Sequence, residues 1–152
     1  MILIDANILV YAANHSAPEY EAAHRWLDAQ LSGTDRVGLP WPSLLAFVRL
    51  VSNPLVVRHP VSVAEAWRQV QEWVQCDNVW VPQPTDQHAE ILGALCLSAF
   101  MTARLVPDAH LAALAIEHGL TLCSTDGDFA KFPNLTWKNP LTVEAAPPPE
   151  AT

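Results

Sequence analysis

Residues 106–129 read "VPDAHLAALAIEHGLTLCSTDGDF", and this stretch decides the fold class. Alanine and leucine fill its first half, with Pro107 at the start and Gly119 at the end, which together predict a helix. The apolar run at 120–125 follows at once and predicts a buried strand. A helix that passes directly into a buried strand is the repeating unit of an α/β protein.

The same alternation of strand and helix extends along the rest of the chain. Apolar runs predict short strands at residues 2–4, 36–39, 78–81 and 135–139. Helical spacing, with a proline, serine or threonine near each start, predicts helices at 17–33, 41–54, 62–75 and 85–100. Because strands separated by helices pair in parallel, the sequence predicts a three-layer αβα fold around a short central parallel sheet of four to five strands.

The length and charge of the chain limit its organisation and its partners. We predict one folded domain over residues 1–141 and a disordered, proline-rich tail over residues 142–152. Eight lysines and arginines face 16 aspartates and glutamates, which gives a formal net charge of −8. Such a chain repels a polyanion unless basic residues cluster locally or a metal ion intervenes, and it attracts a basic partner.

The sequence has the features of a cytoplasmic protein. The N-terminus "MILIDANILV" lacks the basic start of a signal peptide, and every apolar run is far shorter than the roughly 20 residues that span a bilayer. Cys76, Cys96 and Cys123 have no CxxC spacing, so we predict that they are reduced thiols that serve as small core residues.

Four aspartates lie where predicted elements begin or end. Asp5 follows the first strand, Asp108 lies in the first turn of the 107–119 helix, and Asp126 and Asp128 follow the strand after it. Each has an ordinary structural explanation: a partner for a helix dipole, an Asp-Gly turn, or an Asx turn after the first strand. Ligands of α/β proteins bind beyond the carboxyl ends of the strands, and this rule places Asp5 and Asp126 on one rim.

Taken together, the four acids predict a chemical function. Carboxylates that converge on one rim repel each other unless a cation lies among them. Oxygen ligands without histidine or cysteine suit Mg²⁺ or Mn²⁺ rather than zinc. Such an ion lowers the pKa of a bound water, orients that water and offsets charge on a leaving oxygen. The pattern therefore predicts metal-dependent phosphoryl-transfer chemistry.

Three segments also resemble the PIN-domain family, and in particular its VapC-type toxins. They read "MILIDANIL" at 1–9, "VPDAHLAALAIEHG" at 106–119 and "LCSTDGDFAKFPNLTWKNPL" at 122–141. The resemblance implies a PIN-like fold over residues 1–141 and a Mg²⁺- or Mn²⁺-dependent endoribonuclease. It also implies a cognate VapB-type antitoxin, which the acidic net charge of this chain predicts to be basic. A surplus of apolar surface on the short helices separately predicts a homodimer.

The resemblance also assigns roles to individual residues. Asp5, Asp108 and Asp126 match the catalytic, metal-binding acids of the family. Asp128 matches an accessory acid in the same loop, and we group it with them as a catalytic and metal-binding residue. Asn7 matches a frequent polar neighbour of the first aspartate.

One departure from the family pattern leaves an alternative open. Many members carry a glutamate in the helix after the second strand, where this chain has Ala46 and no acid between Trp41 and Pro54. We expect this loss to weaken a second metal position more than the first. The alternative function is a catalytically weakened PIN-fold module that binds antitoxin or RNA without efficient cleavage. A phosphatase with an aspartate nucleophile is disfavoured, since position 7 is asparagine rather than a second aspartate.

Other polar residues have weaker support as site residues. Basic side chains near the motifs are candidates for contact with RNA phosphate; these are Arg49, Arg58, Arg104 and Lys131. The six histidines show no metal-ligand spacing. Helical geometry places His110 about 200° around the helix from Asp108, which favours a surface role.

Overall fold

The computed structural model describes residues 1–142, so the predicted proline-rich tail lies, except for Thr142, outside the described residues. Its sheet has five strands: β1 (Ile2–Ile4), β2 (Val37–Gly38), β3 (Val79–Trp80), β4 (Thr121–Cys123) and β5 (Trp137–Lys138). Their spatial order is β3-β2-β1-β4-β5, and each neighbouring pair is parallel. This topology confirms the predicted parallel sheet.

Six α-helices within residues 1–142 cover the sheet: α1 (Ala6–Ala13), α2 (Tyr20–Leu31), α3 (Trp41–Val51), α4 (Val63–Val74), α5 (His88–Cys96) and α6 (Val106–His118). Leu3 and Ile4 are both fully buried but belong to different apolar clusters, since successive strand residues point to opposite faces. The cluster around Ile4 packs against α1 to α4, and the cluster around Leu3 packs against α5 and α6. The predicted αβα layering is therefore confirmed.

Of three residues predicted as helix caps, Ser62 and Gly119 act as caps and Thr85 does not. Ser62 Oγ accepts a hydrogen bond from the Glu65 N–H at 3.1 Å and begins α4. Gly119 ends α6 with φ of 66°, a left-handed conformation that favours glycine. Thr85 instead holds the turn before α5, where its Oγ1 accepts from the Gln87 N–H at 3.2 Å. As a result α5 begins later than the predicted segment and is shorter.

The sequence analysis missed α1, for which it predicted only an Asx turn. The Asp5 carboxylate accepts from the Ala6 N–H at 2.7 Å and caps this helix directly after β1. Ile8 and Leu9 of α1 are fully buried. An aspartate followed by eight residues with almost no polar side chains was a start signal for a buried helix. This cap matters for function because it fixes the backbone around Asp5.

The cysteine prediction is confirmed for chemistry and only partly for location. Cys76, Cys96 and Cys123 are all free thiols, and burial raises the pKa of the Cys123 thiol to about 11. Cys123 lies in the core, but Cys96 is exposed at the end of α5, so the predicted core position is wrong there. No helix in the described part of the chain is long and apolar enough to cross a membrane.

Candidate active site

The register of β1 and β4 brings the first site residues together. Ile4 pairs with Cys123 at the carboxyl ends of these strands. The Asp5 N–H then donates to the Cys123 carbonyl at 3.0 Å, which extends the ladder by one residue. Asp5 and Ser124 are therefore neighbours on the rim where ligands bind in α/β proteins.

Ser124 connects the two acidic segments and was missed by the sequence analysis. Its hydroxyl is fully buried and donates to Asp5 Oδ2 at 2.8 Å. Ser124 Oγ in turn accepts hydrogen bonds from Asn7 Nδ2 at 2.9 Å and from the Asp126 N–H at 3.0 Å. The only signal in the sequence was a serine between a buried strand and an aspartate. The three hydrogen bonds of its hydroxyl cannot be predicted without the register of β1 and β4.

Asp126 serves the turn role predicted from the sequence and also lies near Asp5. Its carboxylate accepts from the Asp128 N–H at 2.9 Å and caps the 3-10 turn Gly127–Lys131. The same turn keeps Asp126 close enough to Asp5 that its charge raises the pKa of the Asp5 carboxyl. The Asp126 side chain thus caps a turn and is also a candidate metal ligand.

Asp108 is the least compensated acid of the group. It lies half-buried in the first turn of α6, and in residues 1–142 no side chain or backbone N–H forms a hydrogen bond or ion pair with its carboxylate. Burial, followed by the charges of Asp5 and Asp126, raises the pKa of Asp108 to about 6. Burial also raises the pKa of Asp5, against the opposing hydrogen bonds from Ser124 and the Ala6 N–H.

Asp128 differs from the other three acids because two cations hold it. Arg104 Nη1 donates to Oδ2 at 2.8 Å, and Lys131 Nζ lies 3.0 Å from Oδ1. The hydrogen bond from Arg104, together with that from Lys131, holds the pKa of Asp128 below its ordinary value. The structure therefore places Asp128 beside the acidic group with both oxygens already engaged.

The donor chemistry of Asp5, Asp108 and Asp126 suits a hydrated hard cation. No three histidine, cysteine or carboxylate side chains in the described residues are arranged to bind one ion directly. The three carboxylates nevertheless act on one another through their charges. Mg²⁺ keeps several waters and takes only one or two protein carboxylates, so spaced acids with uncompensated charge meet its needs.

Comparisons with known proteins identify the family and the fold. The model of the PIN domain family matches residues 2–135. The chain belongs to the PIN domain family. A protein named Ribonuclease VapC37, from Mycobacterium tuberculosis, is 41% identical to this PIN domain over 140 residues, which cover 92% of this chain and 97% of that protein. Ribonuclease VapC33 from the same species is 34% identical over 141 residues, which cover 93% and 99%.

Solved structures show the same fold at low sequence identity. VapC20 of Mycobacterium tuberculosis, described as a sarcin-ricin loop cleaving toxin, matches this PIN domain with a TM-score of 0.64 at 17% identity, covering 86% of this chain and 94% of that one. VapBC-1 from nontypeable Haemophilus influenzae matches with a TM-score of 0.66 at 17% identity, covering 93% and 100%. The family and fold implied by the sequence motifs are confirmed.

Helix α3 of this PIN domain carries the departure from the family pattern. Ala46 lies half-buried on α3, and the helix has no acidic residue. Ser43, one turn earlier, is fully buried, and its Oγ has no hydrogen-bond partner among the described residues. Helix α3 therefore supplies no carboxylate.

A second polar cluster, between α5 and α6, was not predicted. His88 Nδ1 lies 3.0 Å from Glu117 Oε2, and His88 Nε2 lies 3.0 Å from His110 Nδ1. Glu117 Oε1 also accepts from the Thr85 N–H at 3.1 Å. His110 is therefore half-buried, since a second helix partly covers its ring. Burial and the neighbouring His88 lower the pKa of His110.

Proposed function

We propose that this PIN domain is a Mg²⁺- or Mn²⁺-dependent endoribonuclease toxin that hydrolyses RNA phosphodiester bonds and that a VapB-type antitoxin neutralises. The observation that carries the proposal is that Asp5, Asp108 and Asp126 lie close enough for their charges to act on one another, and that none of them forms an ion pair with lysine or arginine in residues 1–142. The choice of RNA follows the relatives named ribonucleases, whose length this chain covers almost completely.

The side chains of the rim divide the work of hydrolysis. We assign Asp5 and Asp126 to holding the ion, with Ser124 fixing the Asp5 carboxylate through the hydrogen bond at 2.8 Å. A bound Mg²⁺ or Mn²⁺ would offset the negative charge of the phosphate oxygens and would lower the pKa of a water. We assign Asp108, whose carboxylate has free lone pairs, to orienting the attacking water. That water gives up a proton to solvent as its oxygen forms the new bond to phosphorus, the bond to the leaving sugar oxygen breaks, and the sugar oxygen takes up a proton from solvent.

The test uses purified protein free of antitoxin, incubated with total RNA and Mn²⁺. We expect cleavage that EDTA abolishes and that Asp108→Asn reduces by at least about 100-fold. The matched control is Asp86→Asn, the same substitution at an exposed position before α5. Cleavage that persists in EDTA, or that Asp86→Asn and Asp108→Asn affect equally, contradicts the proposal.

The alternative is a weakened module that binds antitoxin or RNA without efficient cleavage, and the absence of an acid from α3 at Ala46 favours it. Calorimetric titration with Mn²⁺ in parallel with the cleavage assay separates the two functions. Mn²⁺ binding with cleavage supports the ribonuclease. Little or no Mn²⁺ binding and no cleavage, both restored by Ala46→Glu, support the weakened module.

An antitoxin partner is supported by charge and by apolar surface. The net charge of −8 favours a basic partner. A groove between α1, α3 and α4 is lined by apolar side chains that suit an amphipathic segment, among them Phe47, Val51, Val57, Val61 and Ala66. Two solved structures of similar fold are of proteins named VapBC2 and VapBC-1. Co-expression with a VapB-type antitoxin tests this: we expect a complex that lacks RNA cleavage, and separate elution of active toxin contradicts it.

Self-association is supported by a separate apolar patch. Trp41 and Leu45 on α3 and Trp67 on α4 are exposed, and the two indole rings stack with centroids 6.3 Å apart. Exposed aromatic patches of this kind mark protein contacts. We expect a dimer in light scattering, which Trp67→Glu converts to a monomer. A monomeric wild-type chain across the working concentration range contradicts a homodimer.

A further inference from the structure

Two of the eight basic residues of the chain converge on Asp128. Arg104 comes from the 3-10 turn Ala103–Leu105 that precedes α6, and Lys131 ends the 3-10 turn that follows β4. Their nitrogens lie 2.8 Å and 3.0 Å from different oxygens of the same carboxylate. In residues 1–142, no other carboxylate of the acidic group has an ion pair with lysine or arginine.

The carboxylate is covered while the cations face solvent. The Asp128 side chain is 23% exposed, whereas Arg104 is 69% and Lys131 51% exposed. A guanidinium has five N–H donors, and the bond to Asp128 uses one of them. Asp128 therefore fixes a positive group in place and leaves most of its donors available to a ligand.

This fixed charge lies beside the candidate catalytic acids. Arg104 is four residues before Asp108, and the charges of Asp108 and Asp126 act on its guanidinium. An RNA strand that places a phosphate among the acids brings its neighbouring phosphates past this edge. Those phosphates need a local cation, since the chain as a whole repels a polyanion. The planar guanidinium matches two phosphate oxygens at once.

A purely structural role for these ion pairs explains less. The pair between Arg104 and Asp128 joins two turns, yet exposed ion pairs of this kind contribute little to stability.

We propose that Arg104, positioned by Asp128 with support from Lys131, binds an RNA phosphate adjacent to the one that is cleaved, and that Asp128 is a positioning residue rather than a metal ligand. This inference rests on the proposed ribonuclease function. It assigns Asp128 a task that differs from that of Asp5, Asp108 and Asp126.

The test measures RNA binding and cleavage in the full chain with Mn²⁺. Variants Arg104→Met, Arg104→Lys and Asp128→Asn are compared with Arg25→Met, a control at an exposed ion pair on α2. Binding of a short fluorescein-labelled single-stranded RNA of mixed sequence is followed by anisotropy at several salt concentrations in the Asp108→Asn background. Cleavage of the same RNA gives KM and kcat in the wild-type background.

We expect Arg104→Met to weaken RNA binding about tenfold, to lower the slope of log affinity against log salt by about one, and to raise KM more than it lowers kcat. Arg104→Lys restores part of the affinity, Asp128→Asn has a smaller effect in the same direction, and Arg25→Met has none. Mn²⁺ affinity stays unchanged in Asp128→Asn.

Two results overturn the inference: Arg104→Met that binds RNA as tightly as Arg25→Met, or Asp128→Asn that loses Mn²⁺ affinity as Asp126→Asn does. A wild-type chain that binds this RNA but never cleaves any RNA defeats the proposed function alone. In that case the comparison of Arg104→Met with Arg25→Met still decides the role of Arg104 in RNA binding. A chain that binds no RNA overturns both.

Discussion

The two ends of α6 carry carboxylates that the fold treats in opposite ways. At the C-terminal end, the Glu117 side chain is 0% exposed, and Thr85 and His88 satisfy its two oxygens. At the N-terminal end, Asp108 is half-buried, lacks a partner in residues 1–142, and faces the charges of Asp5 and Asp126. One helix thus holds a compensated carboxylate and an uncompensated one.

The difference separates structural from functional acids. A buried polar group normally finds partners, because leaving it unsatisfied costs about 1–3 kcal/mol. Glu117 follows this rule and links α5 to α6. Asp108 departs from it, and acids whose pKa is raised by burial and by like charges are concentrated at functional sites. Substitution of Asp108 should therefore affect activity more than stability, and substitution of Glu117 should affect stability more than activity.

The largest expected effect is on activity at the uncompensated end. Asp108→Asn keeps the shape of the side chain and removes a charge that its neighbours oppose. We expect RNA cleavage to fall at least about 100-fold, while the free energy of unfolding in metal-free buffer stays equal or rises. Urea denaturation and the cleavage assay measure the two quantities on one preparation. A destabilised Asp108→Asn protein contradicts the comparison.

The second effect is on stability at the compensated end. Glu117→Ala leaves the Thr85 N–H and His88 without their shared acceptor, so we expect the free energy of unfolding to fall by about 2–4 kcal/mol. Cleavage per folded molecule should stay close to that of the wild type. Glu90→Ala, on the exposed side of α5, is the matched control and should change stability little. If Glu117→Ala and Glu90→Ala are equally stable, Glu117 is not a structural acid, which contradicts the comparison of the two ends of α6.

A smaller effect is expected at Ser124, which supports the site without belonging to either class of acid. Ser124→Ala removes the donor to Asp5 Oδ2 and the acceptor for Asn7. We expect Mn²⁺ affinity to fall about tenfold, as for other residues that orient a ligand. Calorimetric titration checks this, with Ser98→Ala on an exposed turn as control. Unchanged Mn²⁺ affinity contradicts the role of Ser124.

The smallest effect is the pH dependence of folding. The pKa of Asp108 is raised from 3.8 to about 6, so the folded state binds this proton more tightly than the unfolded state does. The contribution of Asp108 to stability is therefore full below pH 3.8 and is lost as the pH rises through about 6. The difference in unfolding free energy between wild type and Asp108→Asn should move in favour of the variant across this range. A constant difference contradicts the raised pKa.

The sequence predicted the acids well because it needed only their positions relative to strand ends. Asp5 and Asp126 follow β1 and β4, and parallel strands bring such positions together whatever the packing. The α1 helix was missed because its start coincided with an aspartate that also suited a turn. Local patterns thus located the rim but not every element that supports it.

The rest depended on contacts that no local pattern contains. The role of Ser124 arises from the register of β1 with β4. The pairing of Glu117 with His88 depends on how α5 packs against α6. The ion pairs of Asp128 distinguish it from Asp126, two residues away, although the sequence predicted the same chemistry for both.

Anomalous diffraction from crystals grown with Mn²⁺ tests the central claim most directly. A manganese peak about 2.0–2.2 Å from carboxylate oxygens of Asp5 or Asp126, with Asp108 facing it and Glu117 metal-free, is the predicted result. A manganese peak at Glu117 and His88 contradicts the account. Crystals that contain Mn²⁺ but show no ion among the three aspartates contradict it as well.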